Sequence, residues 1–300
     1  MTKIELIRAP SNLGLRPLRP GHIPGAWRAP QALKDAGLER LLNPAEIVEL
    51  PRPTYSFEPE PDTRIGNGRE IRRFSTVLAE AVSAALVRRR FPLVVGGDCS
   101  VLLGCLLGAR RHGACGLVHV DGHSDFFNPG NYDPASRLGS VAGMDLALAT
   151  GRGEALLTDW GTGVTPLVAD RDVVQIGERE ACDGNYAFPD IHDTVIRRME
   201  IGRFHRLGPE AAAAEALGAL DGPSRLWLHV DLDVLDQLVM PAVDSPGTPG
   251  MTYTELEHLV KTLRASGRIV GADVTIYDPD LDPDGRHARA IARCIGEAFS

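Results

Sequence analysis

Val118-His119-Val120-Asp121-Gly122-His123-Ser124-Asp125 sets three potential metal ligands at alternate positions, directly after a short apolar run with the composition of a buried strand. In an extended chain alternate side chains point the same way, so Asp121, His123 and Asp125 converge on one point. Carboxylates together with a neutral imidazole suit manganese, iron or zinc, whereas calcium prefers oxygen ligands alone.

Leu226-Trp227-Leu228-His229-Val230-Asp231-Leu232-Asp233 repeats that logic, an apolar strand followed by carboxylates at alternate positions. A third segment, Phe91-Pro92-Leu93-Val94-Val95-Gly96-Gly97-Asp98-Cys99-Ser100, is again a strand, opening through two glycines toward a helix. An open α/β sheet supplies ligands at the C-terminal ends of parallel strands, and two such strands ending in acids predict a dinuclear site. Apolar periodicity predicts helices over about 67–90, 100–111, 140–149, 210–220, 252–266 and 287–299, and strands at 4–7, 93–95, 116–120, 172–176, 226–230 and 268–274. Thr252 reads as a helix cap, and Arg88-Arg89-Arg90 as a solvated cationic helix end. Strands separated by helices of this length predict an α/β fold with a parallel sheet covered on both faces, a three-layer αβα arrangement. No Ser/Gly-rich linker divides the ligand-bearing strands, so one domain over residues 1–300 is expected.

The blocks Gly96-Gly97-Asp98-Cys99-Ser100, Asp121-Gly122-His123-Ser124-Asp125 and Asp231-Leu232-Asp233-Val234-Leu235-Asp236, in this order and separation, resemble the arginase and agmatinase family of ureohydrolases, distantly related to histone deacetylases. Residues 25–38 are similar to that family's opening helix, and residues 241–252 to its Pro/Gly-rich loop after the last metal ligands. The resemblance covers nearly the whole chain. It implies an arginase-like fold, a homo-oligomer of the trimer or hexamer type, and two divalent metal ions, manganese foremost. Asp121 and Asp231 would bridge the ions, His123 and Asp233 would complete one site, and Asp125 and Cys99 the other. Where the family has a histidine this chain has Cys99, a softer ligand that moves the preference toward zinc or iron. On this resemblance a metal-bridging hydroxide attacks the substrate carbon, and Asp125 holds that nucleophile before passing its proton to the departing nitrogen.

Further positions depart from the family. Counting from Asp121 places its catalytic histidine at Leu138, and its guanidinium-anchoring glutamate falls near Ile276, which makes the pocket more apolar. The family's substrate-binding acids do not line up with residues 176–183. His119 and His229, two residues before Asp121 and Asp231, face the same side one layer deeper, where either a hydrogen bond to the ligands or a simple core role is open. Tyr132, Asn128, Glu178, Glu180 and Tyr277 are polar candidates for the pocket rim.

A chain of 300 residues with 43% apolar content can bury a large core, and a net charge of -8 argues against nucleic acid or an anionic membrane as partner. No apolar run approaches the roughly 20 residues of a membrane span, and the charged start is unlike a secretory signal, so a cytoplasmic location is expected. Five cysteines without a regular framework suit reduced thiols; Cys105, Cys115, Cys182 and Cys294 are expected to be ordinary core residues.

Together these features predict a hydrolase cleaving a C–N bond of a small guanidino or amidine compound, such as a modified arginine like N-hydroxyarginine. Two other readings stay open: a deacetylase-like amidohydrolase with one metal, or an inactive family member serving as an assembly subunit.

Overall fold

A computed structural model describes residues 2–135, 137–161, 163, 165–180 and 189–300; Ser136, Cys182 and Asp183 lie outside the described residues. One parallel sheet contains eight strands, β1 (Ile4–Ala9), β2 (Glu46–Glu49), β3 (Phe91–Gly96), β4 (Gly116–Val120), β5 (Val173–Ile176), β6 (Arg197–Met199), β7 (Leu226–Asp231) and β8 (Ile269–Thr275). Their order is β2-β1-β3-β8-β7-β4-β5-β6. The strands that carry the three sequence blocks therefore lie at its centre, with β8 inserted between β3 and β7.

Alternate side chains divide between two cores. Val118, Val120, Leu228, Val230 and Val274 pack beneath helices Pro209–Ala219, Tyr253–Ala265 and Arg286–Phe299. Leu117, Trp227 and Val94 pack beneath helices Gly68–Val87 and Val101–Arg110. This is the expected three-layer αβα architecture. Burial on both faces is why these strands read as continuous apolar runs.

The edge strands β2 and β6 were not anticipated, because they are short and charge-rich: Glu46-Ile47-Val48-Glu49 and Arg197-Arg198-Met199. Charged residues at a sheet edge discourage pairing with another chain, at the cost of the apolar alternation that reveals a strand. The expected opening helix is broken into a 3-10 turn, Gly25–Arg28, and helices Ala29–Asp35 and Leu38–Leu42, separated at Gly37 with φ +94°. Residues 140–149 likewise form a 3-10 turn, Val141–Gly143, and a short helix, Asp145–Ala149, instead of one helix. Arg88 and Arg90 are not merely solvated; their guanidiniums converge on Glu5, whose carboxylate is fully buried. Thr252 does cap its helix, in a reciprocal pair with Glu255.

Candidate metal centre

Strand register builds the centre. β4 and β7 pair His119 with His229 and Val120 with Val230, which places Asp121 and Asp231 side by side at the strand ends. Each then makes the same turn: Asp121 Oδ1 accepts from the His123 N–H at 2.6 Å, and Asp231 Oδ1 from the Asp233 N–H at 2.7 Å. These turns leave the second oxygen of Asp121 without a hydrogen-bond partner among the described residues and that of Asp231 to Cys99. Potential ligand atoms of Asp121, His123 and Asp125 lie within 4.8 Å of one another, as do those of Asp121, Asp231 and Asp233.

His123 Nδ1 is 2.9 Å from Asp233 Oδ2, and the Gly122 N–H donates to Asp233 Oδ1 at 3.0 Å. Arg179, buried, donates from Nη2 to the Asp233 carbonyl at 2.8 Å. Burial alone would raise the Asp233 pKa, but His123 and Arg179 hold it down at about 2. Arg179 passes between two glycines: a Cβ on Gly122 would meet its Nη1 at 2.2 Å, and one on Gly247 its Nε at 2.2 Å. The glycine in Asp121-Gly122-His123 is thereby explained by a neighbouring arginine.

Asp121, Asp125 and Asp231 all have pKa values well above the ordinary carboxylate range, first through burial and then through the charge of neighbouring aspartates: Asp125 for Asp121, Asp145 for Asp125 and Asp233 for Asp231. Asp125 holds a left-handed backbone, φ +45°. Cys99 is 1% exposed, with Sγ 2.7 Å from Asp231 Oδ2 and 3.6 Å from Thr275 Oγ1. Burial, followed by the charge of Asp231, pushes its thiol well above the usual range. Its neighbour Asp98 is turned away, accepting from Ser11 Oγ at 2.6 Å and from the Gly14 N–H at 2.8 Å, and so has a structural role.

So many acids in one buried space oppose ionisation, and a cation among them reverses the sign of that effect. Asp121 Oδ2 is buried with no hydrogen-bond partner among the described residues, which is the state expected of an atom reserved for an ion. The donor set of carboxylates, imidazole and thiol therefore fits divalent metal ions.

Sequence reasoning missed Asp145. It is fully buried behind the cluster, with Oδ1 3.4 Å from His119 Nε2 and Oδ2 3.6 Å from His229 Nε2. The two histidine rings stack, with centroids 4.8 Å apart. Asp273, which pairs with His229 across the β7–β8 ladder, accepts from Trp227 Nε1 at 2.5 Å and holds His229 Nδ1 at 2.5 Å. Burial lowers the His119 pKa; in His229 Asp273 outweighs burial and lifts it to about 9. The two histidines thus form a buried polar layer beneath the ligand carboxylates, with Asp145 joining them. Cys99, Asp145 and His229 also bring potential ligand atoms within 4.8 Å.

A cavity of about 370 Å³ opens onto Cys99, His123, Asp125, Asp231 and Asp233. Ile276 lines it, buried and held at φ +75°, a strained conformation for a β-branched residue. Leu138 does not line it; the same loop presents Ala142 and Gly143 instead. Of the rim candidates only Tyr132 borders the cavity. Asn128 binds Asp190, Glu178 pairs with Arg198, Glu180 accepts from the Ser124 N–H at 2.8 Å, and the Tyr277 hydroxyl donates to Asp282 at 2.7 Å. Asp244, in the Pro/Gly-rich loop, is an unanticipated acid on the wall.

A model described as the arginase family matches residues 14–300. The chain belongs to the arginase family. Arginase of Bacillus caldovelox is 31% identical over 308 residues, covering 100% of this chain and 98% of that protein. The crystal structure of arginase from Bacillus cereus aligns with a TM-score of 0.83 and 26% identity, covering 99% of this chain and 98% of its own. Proclavaminate amidino hydrolase from Streptomyces clavuligerus shares the fold at 20% identity, with a TM-score of 0.69 over 100% and 90% of the two chains. As an arginase-family protein the chain is a metal-dependent hydrolase acting on C–N bonds in linear amidines. Among the described residues no helix is long and apolar enough to cross a membrane.

Proposed function

We propose that this family member holds two divalent ions through Cys99, Asp121, His123, Asp125, Asp231 and Asp233, and hydrolyses a guanidino or amidine substrate less basic than arginine, such as an N-hydroxyguanidine. The observation that carries the substrate reading is Ile276. An apolar side chain stands on the cavity wall where a strongly basic guanidinium would need a carboxylate. Ala142 and Gly143, on the opposite loop, offer no side chain that transfers protons. Both features favour a substrate with a weaker base and a better leaving group.

Bound metal would supply an activated water and polarise the amidine carbon. The rest falls to this chain's residues. Asp125 borders the cavity beside Asp231 and Asp233, where its carboxyl can accept a proton from the attacking water and deliver it to the departing nitrogen. Asp233, kept ionised by His123 and Arg179, contributes fixed negative charge on one side, and Cys99 a softer donor on the other. A thiol there supports zinc or iron beside manganese. Four buried, unpaired cysteines among the described residues support a reducing, cytoplasmic setting. The chain would act as one domain over residues 1–300 and assemble as a trimer or hexamer.

Elemental analysis beside a guanidino panel tests the reading. Two ions per chain with release of urea, hydroxyurea or amine are expected, and N-hydroxyarginine should outperform arginine. One tightly held ion with turnover of acylated amines, or no turnover at all, would overturn it. Light scattering behind size exclusion tests the assembly, which a monomer would refute.

A further inference from the structure

Asp145 and His229 lie beneath the acids that border the cavity, and the C–N cleavage uses neither. Both are fully buried, and the two oxygens of Asp145 and Nε2 of His229 have no hydrogen-bond partner among the described residues. Asp145 Oδ2 and His229 Nε2 stand 3.6 Å apart, beyond hydrogen-bond range. Two donors on one tetrahedral zinc ion, each bonded at about 2.0–2.1 Å, stand roughly 3.3 Å from each other. A third donor is Cys99, which brings its Sγ within 4.8 Å of ligand atoms on both residues. Asp231 Oδ2, 2.7 Å from that Sγ, is a fourth.

The surroundings prepare these atoms for a cation. The Asp273 carboxylate accepts from His229 Nδ1 at 2.5 Å, which puts the ring proton on Nδ1 and leaves the lone pair on Nε2, the nitrogen nearer Asp145. A ligating histidine whose other nitrogen donates to a carboxylate is the common arrangement at a zinc ion. His119 stacks on His229 and brings its Nε2 to 3.4 Å from the other Asp145 oxygen, where it can orient that carboxylate. Buried oxygens and nitrogens without partners are costly, and one cation satisfies several of them at once. Thiol, imidazole and carboxylate together make the mixed, four-donor set of a closed zinc site, softer than the oxygen-rich set that manganese favours.

We propose that the ion held by Cys99 is zinc set one layer into the fold, with Asp145 and His229 as ligands beside Cys99 and Asp231. Binding displaces the thiol proton to solvent. Four protein donors close the coordination of that ion, which leaves the substrate to the ion bordering the cavity. This rests on the two-ion reading above and assigns two ligands outside its six.

The test loads wild type, Asp145→Asn, His229→Gln and His119→Gln with cobalt, a spectroscopic stand-in for zinc, while melting curves check that each variant is folded. Wild type should bind two ions per chain and show thiolate-to-cobalt charge transfer with the intense visible bands of tetrahedral cobalt. Asp145→Asn and His229→Gln should each lose one ion per chain and both signatures, whereas His119→Gln should keep them with the ion held about 10- to 100-fold more weakly. X-ray absorption of zinc-loaded wild type does not depend on any variant folding. Averaged over the two ions it should find one imidazole per zinc, from His123 and His229, against half an imidazole if His229 is not a ligand. Amidine cleavage by a two-ion protein whose charge transfer is absent, or survives both Asp145→Asn and His229→Gln, overturns the deep site and leaves the hydrolase reading intact. An equal loss in His119→Gln and His229→Gln also overturns it. Charge transfer that depends on Asp145 and His229, in protein that cleaves no amidine, overturns the hydrolase reading and leaves the deep site; absence of both overturns both.

Discussion

Replacing Asp273 by Asn should expose how much the buried layer beneath the site contributes. In the wild type one carboxylate oxygen accepts from Trp227 Nε1 at 2.5 Å and the other holds His229 Nδ1 at 2.5 Å, and all three side chains are fully buried. An asparagine keeps one acceptor oxygen and turns its amide N–H toward the remaining donor. One charge-assisted bond worth about 1.5–3 kcal/mol is lost, and one buried donor is orphaned at a further ~1–3 kcal/mol. The total, about 2.5–6 kcal/mol, spans the roughly 3–5 kcal/mol cost of breaking a buried pair. The sign with pH follows from His229, raised to about 9 in the fold from 6.5. Its ion pair stabilises fully below pH 6.5 and is lost as pH rises through about 9. Chemical denaturation of wild type and Asp273→Asn in excess chelator, so that no metal contributes, should show the larger gap at pH 6.5 and a smaller one near pH 10. A gap below about 1 kcal/mol, or one that does not change with pH, would refute the argument.

Cys99→Ser should lower metal content by one ion per chain and make alkylation of the protein indifferent to chelator, whereas Cys99→His should restore binding and favour manganese; equal metal in wild type and Cys99→Ser would leave Cys99 as a packing residue. Ile276→Glu should raise kcat/KM for arginine at least 10-fold relative to N-hydroxyarginine, and an unchanged ratio would show that the wall residue does not set basicity. Asp244, raised to about 7 by burial and by Asp233, gives stability that is present below pH 4 and lost as pH rises through about 7. Asp244→Asn should therefore stabilise the chelated protein by about 1 kcal/mol at pH 8 and not at pH 4, as thermal denaturation at both pH values would show.

The ligand strands could be read from sequence because alternation in an extended segment fixes both direction and convergence: Asp121, His123 and Asp125 do meet, and Asp231 lies beside Asp121. Cys99 entered the site only through the resemblance of its Gly-Gly-Asp-Cys-Ser block, and its Sγ stands 2.7 Å from Asp231 Oδ2. Asp145 was invisible. It sits in Met144-Asp145-Leu146-Ala147, where a single acid in an apolar helix looks like one solvent-facing position, and only the fold turns it inward onto His119 and His229. The counterpart position at Leu138 failed for a different reason, since counting by separation assumes a constant loop length, and loops tolerate insertions. β2 and β6 escaped because edge strands trade apolar alternation for charge.

Every candidate ligand side chain that borders the cavity stands at the end of a strand or on the turn directly after it, whereas the rest of the cavity wall is drawn from the segments after β1, β4, β7 and β8. A one-residue slip of β4 would turn His119 and Asp121 to the other face, and a slip of β7 would turn His229 and Asp231, so the reacting centre depends on the register of both strands. The loops are under no such constraint. A family built this way can exchange the tail, the charge and the basicity of what it cleaves by changing a few loop positions, while the reacting centre is inherited as a block. Conversely, grafting the loops around residues 14–18 and 137–144 onto a relative should carry the substrate preference with them and leave the bond that is cut unchanged.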